Sequence, residues 1–275
     1  VKIAIKAASG STLTNTTKTN LVTQLKKYNV ASVRPEIVDP ETTSIIITTN
    51  VKFDQNSANK TADTIKSDVL TTLTNYNANT LSQFDGVFRY SKVTGLIDNT
   101  DSSILSNITT LKIRKDFTPT LTSSTKYNVY FRNSLHNPHS GHNSVAGGIL
   151  ESSGFKVSGD STSVFYLDDD GQGNVRRYSF SGATRVYTAS NQGTIDYDTG
   201  AITINSLSVL SVENIRGAAS SKIELTVVPS SNDVVPVRDQ ILEIDTANSS
   251  ITVTADTFVG GSADAGVGYT TTSSY

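Results

Sequence analysis

The hydrophobic period of this chain changes once, near residue 120, and the change separates two kinds of fold. Before it, Ile45, Ile47, Thr49, Val51 and Phe53 recur at every second position, which puts them on one face of a strand. Ala58, Ala62, Ile65, Val69, Leu73 and Tyr76 then follow at helical spacing, with Asn56 or Ser57 available as the N-cap. Upstream, Val1 to Ala8 alternates enough for a strand. Leu21, Val22, Leu25 and Tyr28 form a second helical stripe behind Thr14-Asn15-Thr16, and Pro35 and Pro40 punctuate the connection that follows. A short apolar piece from Val93 to Ile97 precedes Leu111 and Ile113, which alternate with Thr110, Lys112 and Arg114 as a further strand. The order β-α-β-α-β predicts an α+β sandwich over residues 1–119, two helices covering one face of a sheet in a ferredoxin-like manner.

Beyond residue 120 the helical period disappears and short apolar runs alternate with Gly, Asp and Asn turns. Strands are expected at Tyr127 to Phe131, Val164 to Leu167, Val175 to Phe180, Arg185 to Tyr187, Thr194 to Tyr197, Ala201 to Ile204, Ile223 to Val228, Ile241 to Ile244 and Ile251 to Val253. Their spacing predicts an all-β sandwich or barrel over residues 120–259, followed by a Gly-, Ser- and Thr-rich tail at 260–275.

Charge narrows the range of partners. A formal net charge of −2 provides no basic footprint for nucleic acid or an anionic membrane, and no apolar run approaches the roughly 20 residues needed to cross a bilayer. Cysteine is absent, which removes disulfides, thiolate nucleophiles and Cys-ligated metals. Methionine is absent too, and the chain begins at Val1 inside a strand pattern, so the expectation is a C-terminal fragment of a longer protein. No signal-peptide core is present at the start, and the Asn-X-Ser/Thr triplets are explained by chance in an Asn- and Thr-rich chain.

Three motifs invite chemistry. Asp198-Thr199-Gly200 matches the core of the aspartic protease signature, in which paired carboxylates share a proton. No second copy exists in the chain, so a hydrolase would have to be a homodimer; the other reading is the turn of a hairpin. Asp168-Asp169-Asp170-Gly171 could supply oxygen ligands to calcium, yet it lacks EF-hand spacing and sits between two strand candidates as a hairpin loop would. His136, His139 and His142, all the histidines of the chain, lie in one segment that Pro138 and Gly141 keep from being helical, with no carboxylate to complete a site. No metal, cofactor or small-molecule substrate is therefore expected, and no catalytic residue is assigned.

The succession of motifs carries a resemblance. Pro35-Glu36-Ile37-Val38-Asp39-Pro40, the strand Ile45 to Phe53 and the helix around Ala62 to Tyr76 resemble the C-terminal region of baseplate J-like proteins. Tyr166 to Gly173, Gly193 to Gly200 and Asp233 to Leu242 resemble the baseplate wedge subunit of T-even-like contractile-tailed phages. The resemblance implies a structural, non-enzymatic protein of the virion tail baseplate, assembled in the host cytoplasm. It also implies C-terminal regions that pair with each other in a ring around the hub, and contacts with other wedge proteins. On this reading Asp198-Thr199-Gly200 is a turn. A homodimeric aspartic hydrolase and a tail-fibre or adhesin-like binding module stay open as alternatives. Apolar strand candidates with few gatekeeping lysines lie between Asp233 and Val253, and they nominate Val235, Val237, Ile241 and Leu242 as self-association contacts.

Overall fold

Ile45, Ile47, Thr49, Val51 and Phe53 are all buried, as their alternation requires, and the sheet they belong to organises the first part of the molecule. The computed structural model describes residues 1–7, 13–28, 33–138, 148–237 and 239–256. Its elements run β1 (Lys2–Ala4), α1 (Asn15–Lys26), β2 (Glu36–Val38), β3 (Glu41–Phe53), α2 (Ala62–Tyr76), α3 (Tyr90–Asp98), β4 (Ile104–Phe117) and β5 (Thr125–Tyr130). After these come β6 (Glu151–Ser152), β7 (Phe155–Val157), β8 (Asp160–Asp169), β9 (Asn174–Ser181), β10 (Thr184–Asp196) and β11 (Ala201–Leu207). The last are β12 (Val209–Val212), β13 (Ile223–Val227), β14 (Gln240–Ile244) and β15 (Ser250–Ala255). The fold is mixed α+β, a helix-and-sheet part followed by a β part, as the sequence predicts.

The helices that cover the sheet are α2 and α3, not α1 and α2 as expected. α1 forms behind its Thr14 cap, whose Oγ1 accepts from Thr17 N at 3.2 Å, but buries no side chain. It crosses over between β1 and β2, which pair in parallel as a separate two-stranded sheet. α2 buries Ile65, Val69, Leu73 and Tyr76 in one core with Ile45, Ile47, Val51 and Phe53. Thr61, rather than Asn56 or Ser57, caps it, accepting from Thr64 N at 3.3 Å. Asn56 is occupied in an earlier turn, donating its backbone N–H to Asp54 Oδ1 at 2.9 Å. α3 buries Val93 and Ile97, one turn apart, so the apolar piece noted there is a short helix.

β3 and β4 pair antiparallel over most of their length, and the strands that complete their sheet come from far along the chain. β13 adds antiparallel to β4, while β14 and β15 add in parallel to successive halves of β3. The pairing thus cuts across the expected boundary at 119/120, because strand patterns reveal faces and not partners. Residues 245–249 bulge between β14 and β15. There Asp245 accepts from Asn248 N at 3.1 Å, and Ser249 Oγ accepts from Ile47 N at 3.0 Å. Arg114, nearly buried, joins these elements by facing Asp116, Glu224 and Asp245 at once.

The second sheet has the order β12-β7-β8-β9-β10-β11-β5. β11 and β12 are nearly continuous, with Ser206 at φ 47 close to the junction; β11 pairs with β10 and β12 with β7, so the meander curls back on itself. Phe155, Phe165, Leu167, Val175, Ile195, Ile202, Ile204 and Val209 are buried by that curl. The two strands expected at Arg185 to Tyr187 and Thr194 to Tyr197 are one long strand, β10, interrupted by register shifts after Tyr187 and Ala189.

The loop between α3 and β4 gives a prediction about acid. The Asp101 carboxylate accepts from Ser103 Oγ at 2.7 Å and Ser103 N at 2.9 Å and lies 3.2 Å from Lys60 Nζ, which holds its pKa at about 2. A carboxylate held below its unfolded value stabilises the fold above about pH 4, and that contribution is lost as pH falls through the folded value. Melting temperature is expected to drop between about pH 4 and 2, and Asp101→Asn to flatten part of that drop. Identical slopes for the two proteins would show that this turn contributes nothing.

Candidate association surface

Asp198-Thr199-Gly200 and Asp170-Gly171 occupy hairpin turns, while Asp168 and Asp169 end strand β8. Asp196, not Asp198, organises the β10–β11 hairpin: its carboxylate accepts from Asp198 N at 2.9 Å, Thr199 N at 3.2 Å and Thr199 Oγ1 at 2.6 Å. Asp198 stands exposed at the tip. Gly200 closes the turn at φ 69, where a Cβ would come 2.3 Å from Asn133 O.

The three consecutive aspartates of the β8–β9 hairpin have three separate sets of partners. Asp170 accepts from Gln172 N at 2.8 Å and Asn174 N at 3.0 Å within the loop. Asp169, fully buried, accepts from the Tyr197 hydroxyl and from Leu150 N at 2.7 Å. Burial, and then this carboxylate, push the Tyr197 phenol well above its ordinary pKa. Asp168 faces the opposite side of the strand, among arginines and tyrosines.

Of the histidines, His136 donates its backbone N–H to Val228 O at 2.9 Å; His139 and His142 lie outside the described residues. The self-association candidates divide. Ile241 and Leu242 are core side chains of β14 and leave the list, because a buried side chain has no surface to offer. Val235 and Val237 are 46% and 40% exposed. A cavity of about 580 Å³ between β5 and the β3–β4 sheet is lined by charges paired with one another, Lys115 with Glu41 and Arg114 with Asp116.

The feature that motif reading missed is the outer face of β8, β9 and β10. Tyr178 lies opposite Tyr166 on one side and Tyr187 on the other, ring centroids 5.6 and 5.7 Å apart. Phe180 meets both Tyr166 and Tyr178 edge-on. Arg176 stacks over Tyr187 at 4.3 Å and Arg185 over Tyr178 at 4.6 Å, both within cation–π range. Asp168 ties the group together, taking Arg176 Nε at 3.0 Å, Arg185 Nη1 at 2.9 Å and the Tyr187 hydroxyl at 2.9 Å. Burial and the hydrogen bond to this carboxylate push the Tyr187 phenol above its usual pKa. The signal was present: Tyr178, Phe180, Arg185 and Tyr187 share one face when strands are read in pairs across the Gly182-Ala183 turn.

Two stretches of the chain match known domains. Residues 1–38 match the family described as baseplate structural protein gp6, C-terminal domain I, and residues 41–116 match its C-terminal domain III. Over these residues the chain resembles the C-terminal part of gp6. The matched limits follow the structure: domain I holds β1-α1-β2, and domain III begins where β3 begins and ends within a residue of the end of β4. The chain is also 25% identical, over 129 residues, to the baseplate wedge protein gp6 of Enterobacteria phage T4. That alignment covers 46% of this chain and 20% of the relative, so the chain spans a small part of the curated protein it matches. Both matching domain models describe a baseplate structural protein.

Proposed function

We propose that this chain is a building block of the baseplate wedge that meets copies of itself and neighbouring wedge proteins, closing a ring around the tail hub without performing catalysis. Assembly takes place in the host cytoplasm before the virion is complete. The observation that carries this reading is the order of the matches: C-terminal domains I and III of gp6 follow one another along the chain, with limits that fall at or within a residue of the ends of structural elements. Residues from 120 onward supply the self-contact, and Val235 and Val237 are its exposed apolar candidates. A stable contact of this kind buries at least about 1,000 Å² in total, from a patch repeated by symmetry.

Sedimentation of the purified chain at micromolar concentration is expected to show a dimer that Val235→Glu weakens without lowering the melting temperature. Ile241 is unsuitable for that test, since a charge there would disrupt the core. A strictly monomeric chain, together with tail images in which the β half touches only unrelated proteins, would sink the self-contact.

A further inference from the structure

The hairpin formed by β9 and β10 reaches beyond its own sheet. β8 pairs with β9 no further than Phe165 opposite Ser179, and β11 pairs with β10 only from Gly193 to Asp196. The tip from Phe180 to Tyr187 is therefore a two-stranded ribbon, with Phe180 50%, Val186 44% and Tyr187 38% exposed. From Thr184 to Tyr187 the outer edge of β10 has no strand partner among the described residues, and its register is regular until the shift that follows Tyr187. Unpaired edges are usually blunted by short length, charge, proline or a bulge; this four-residue stretch has no proline or lysine, carries one charge, Arg185, and meets a register shift only beyond Tyr187. The charged residues of the hairpin between residues 175 and 190 are all basic, Arg176, Arg177 and Arg185; Asp168 of the neighbouring β8 offsets one of these charges and leaves a net positive face. Arg185 remains 39% exposed beside the aromatic face, and the Asp168 contacts hold the group in one arrangement. Tyrosine and arginine held in place this way are the side chains most often found to dominate protein interfaces.

We propose that the Thr184–Tyr187 edge is a strand-addition site for an extended acidic segment of another protein, whose backbone pairs with β10 while its carboxylates lie on the Arg185 face and its apolar side chains, on the opposite face, cover Val186. A polypeptide fits better than a nucleic acid. The free edge offers alternating peptide donors and acceptors, which an extended peptide backbone can pair with and a phosphate backbone cannot. The inference takes from the structural reading above only that the chain works by binding other proteins.

The test uses the whole chain and three labelled probes: an octapeptide alternating Glu and Val, its Lys and Val counterpart, and an oligothymidine of equal length. Fluorescence anisotropy is expected to show the Glu-Val peptide binding at least about ten-fold more tightly than either other probe, with affinity falling as salt rises. Val186→Asp and Arg185→Gln should each weaken it by about ten-fold or more while leaving circular dichroism unchanged. Absence of Glu-Val binding, equal binding of the Lys-Val peptide, preference for oligothymidine, or indifference to both substitutions overturns the proposal. So does a dimer of the chain that Val186→Asp dissociates, because the edge then belongs to a second copy. None of those results touches the baseplate role, which the sedimentation and imaging experiments read separately.

Discussion

Asp168→Ala is expected to remove about 3–5 kcal/mol of folding stability, the cost of leaving a buried charge without its partner. The carboxylate is 2% exposed and engages Arg176 through both oxygens, at 3.0 and 3.1 Å. Arg176 is itself 12% exposed, so its guanidinium cannot turn to water when the carboxylate goes. Arg185 contributes less to the loss, since at 39% exposure solvent screens its attraction. Chemical denaturation should show a lower midpoint with an unchanged slope. The double variant Asp168→Ala, Arg176→Met should recover part of the loss, because it removes the stranded charge as well. A loss below about 1 kcal/mol would mean that the arginines relax into solvent and that the ribbon is not anchored as described. Asp168→Ala should also weaken any partner held at the ribbon, since Tyr187 and Arg185 lose the group that orients them.

How much of this could be read beforehand depends on what kind of information each element needs. β3 and α2 were legible because their periods are long and unbroken, and burial follows the pattern residue by residue. α3 was not, because nine residues with Gly95 among them give too little periodicity to separate a helix from a strand fragment. The partners of β13, β14 and β15 were illegible for a different reason: a strand pattern fixes which face is apolar but not which edge it will join. That gap explains Ile241 and Leu242. They are apolar and ungated in sequence, which suggested a surface, but β3 needed a parallel partner and took them into its own sheet. The turns were read correctly as turns, although the bonding carboxylate is Asp196, two residues before the one that the motif emphasised. The aromatic ribbon lay in plain sequence on both sides of the Gly182-Ala183 turn and is invisible when each strand is taken alone.

Leu73→Ala is expected to cost about 2–5 kcal/mol, the range for truncating a fully buried leucine where the surrounding core only partly collapses. Leu73 has no exposed surface and shares its core with Ile45, Ile47, Val51 and Phe53 of β3 and with Ile65 and Val69 of its own helix. α2 lies over β15, so the cavity would open at the strand that completes the sheet from the far end of the chain. Leu70 is the control: three residues earlier and 40% exposed, its truncation should change stability by no more than about 0.5 kcal/mol. Hydrogen exchange adds a readout that global stability does not. If α2, β3 and β15 form one cooperative unit, Leu73→Ala should speed exchange in β15 as much as in α2, although nearly two hundred residues of sequence separate them. Equal, small losses for Leu73→Ala and Leu70→Ala would place α2 on the surface. The core built from the first matched domains and the last strands of the chain would then be wrong.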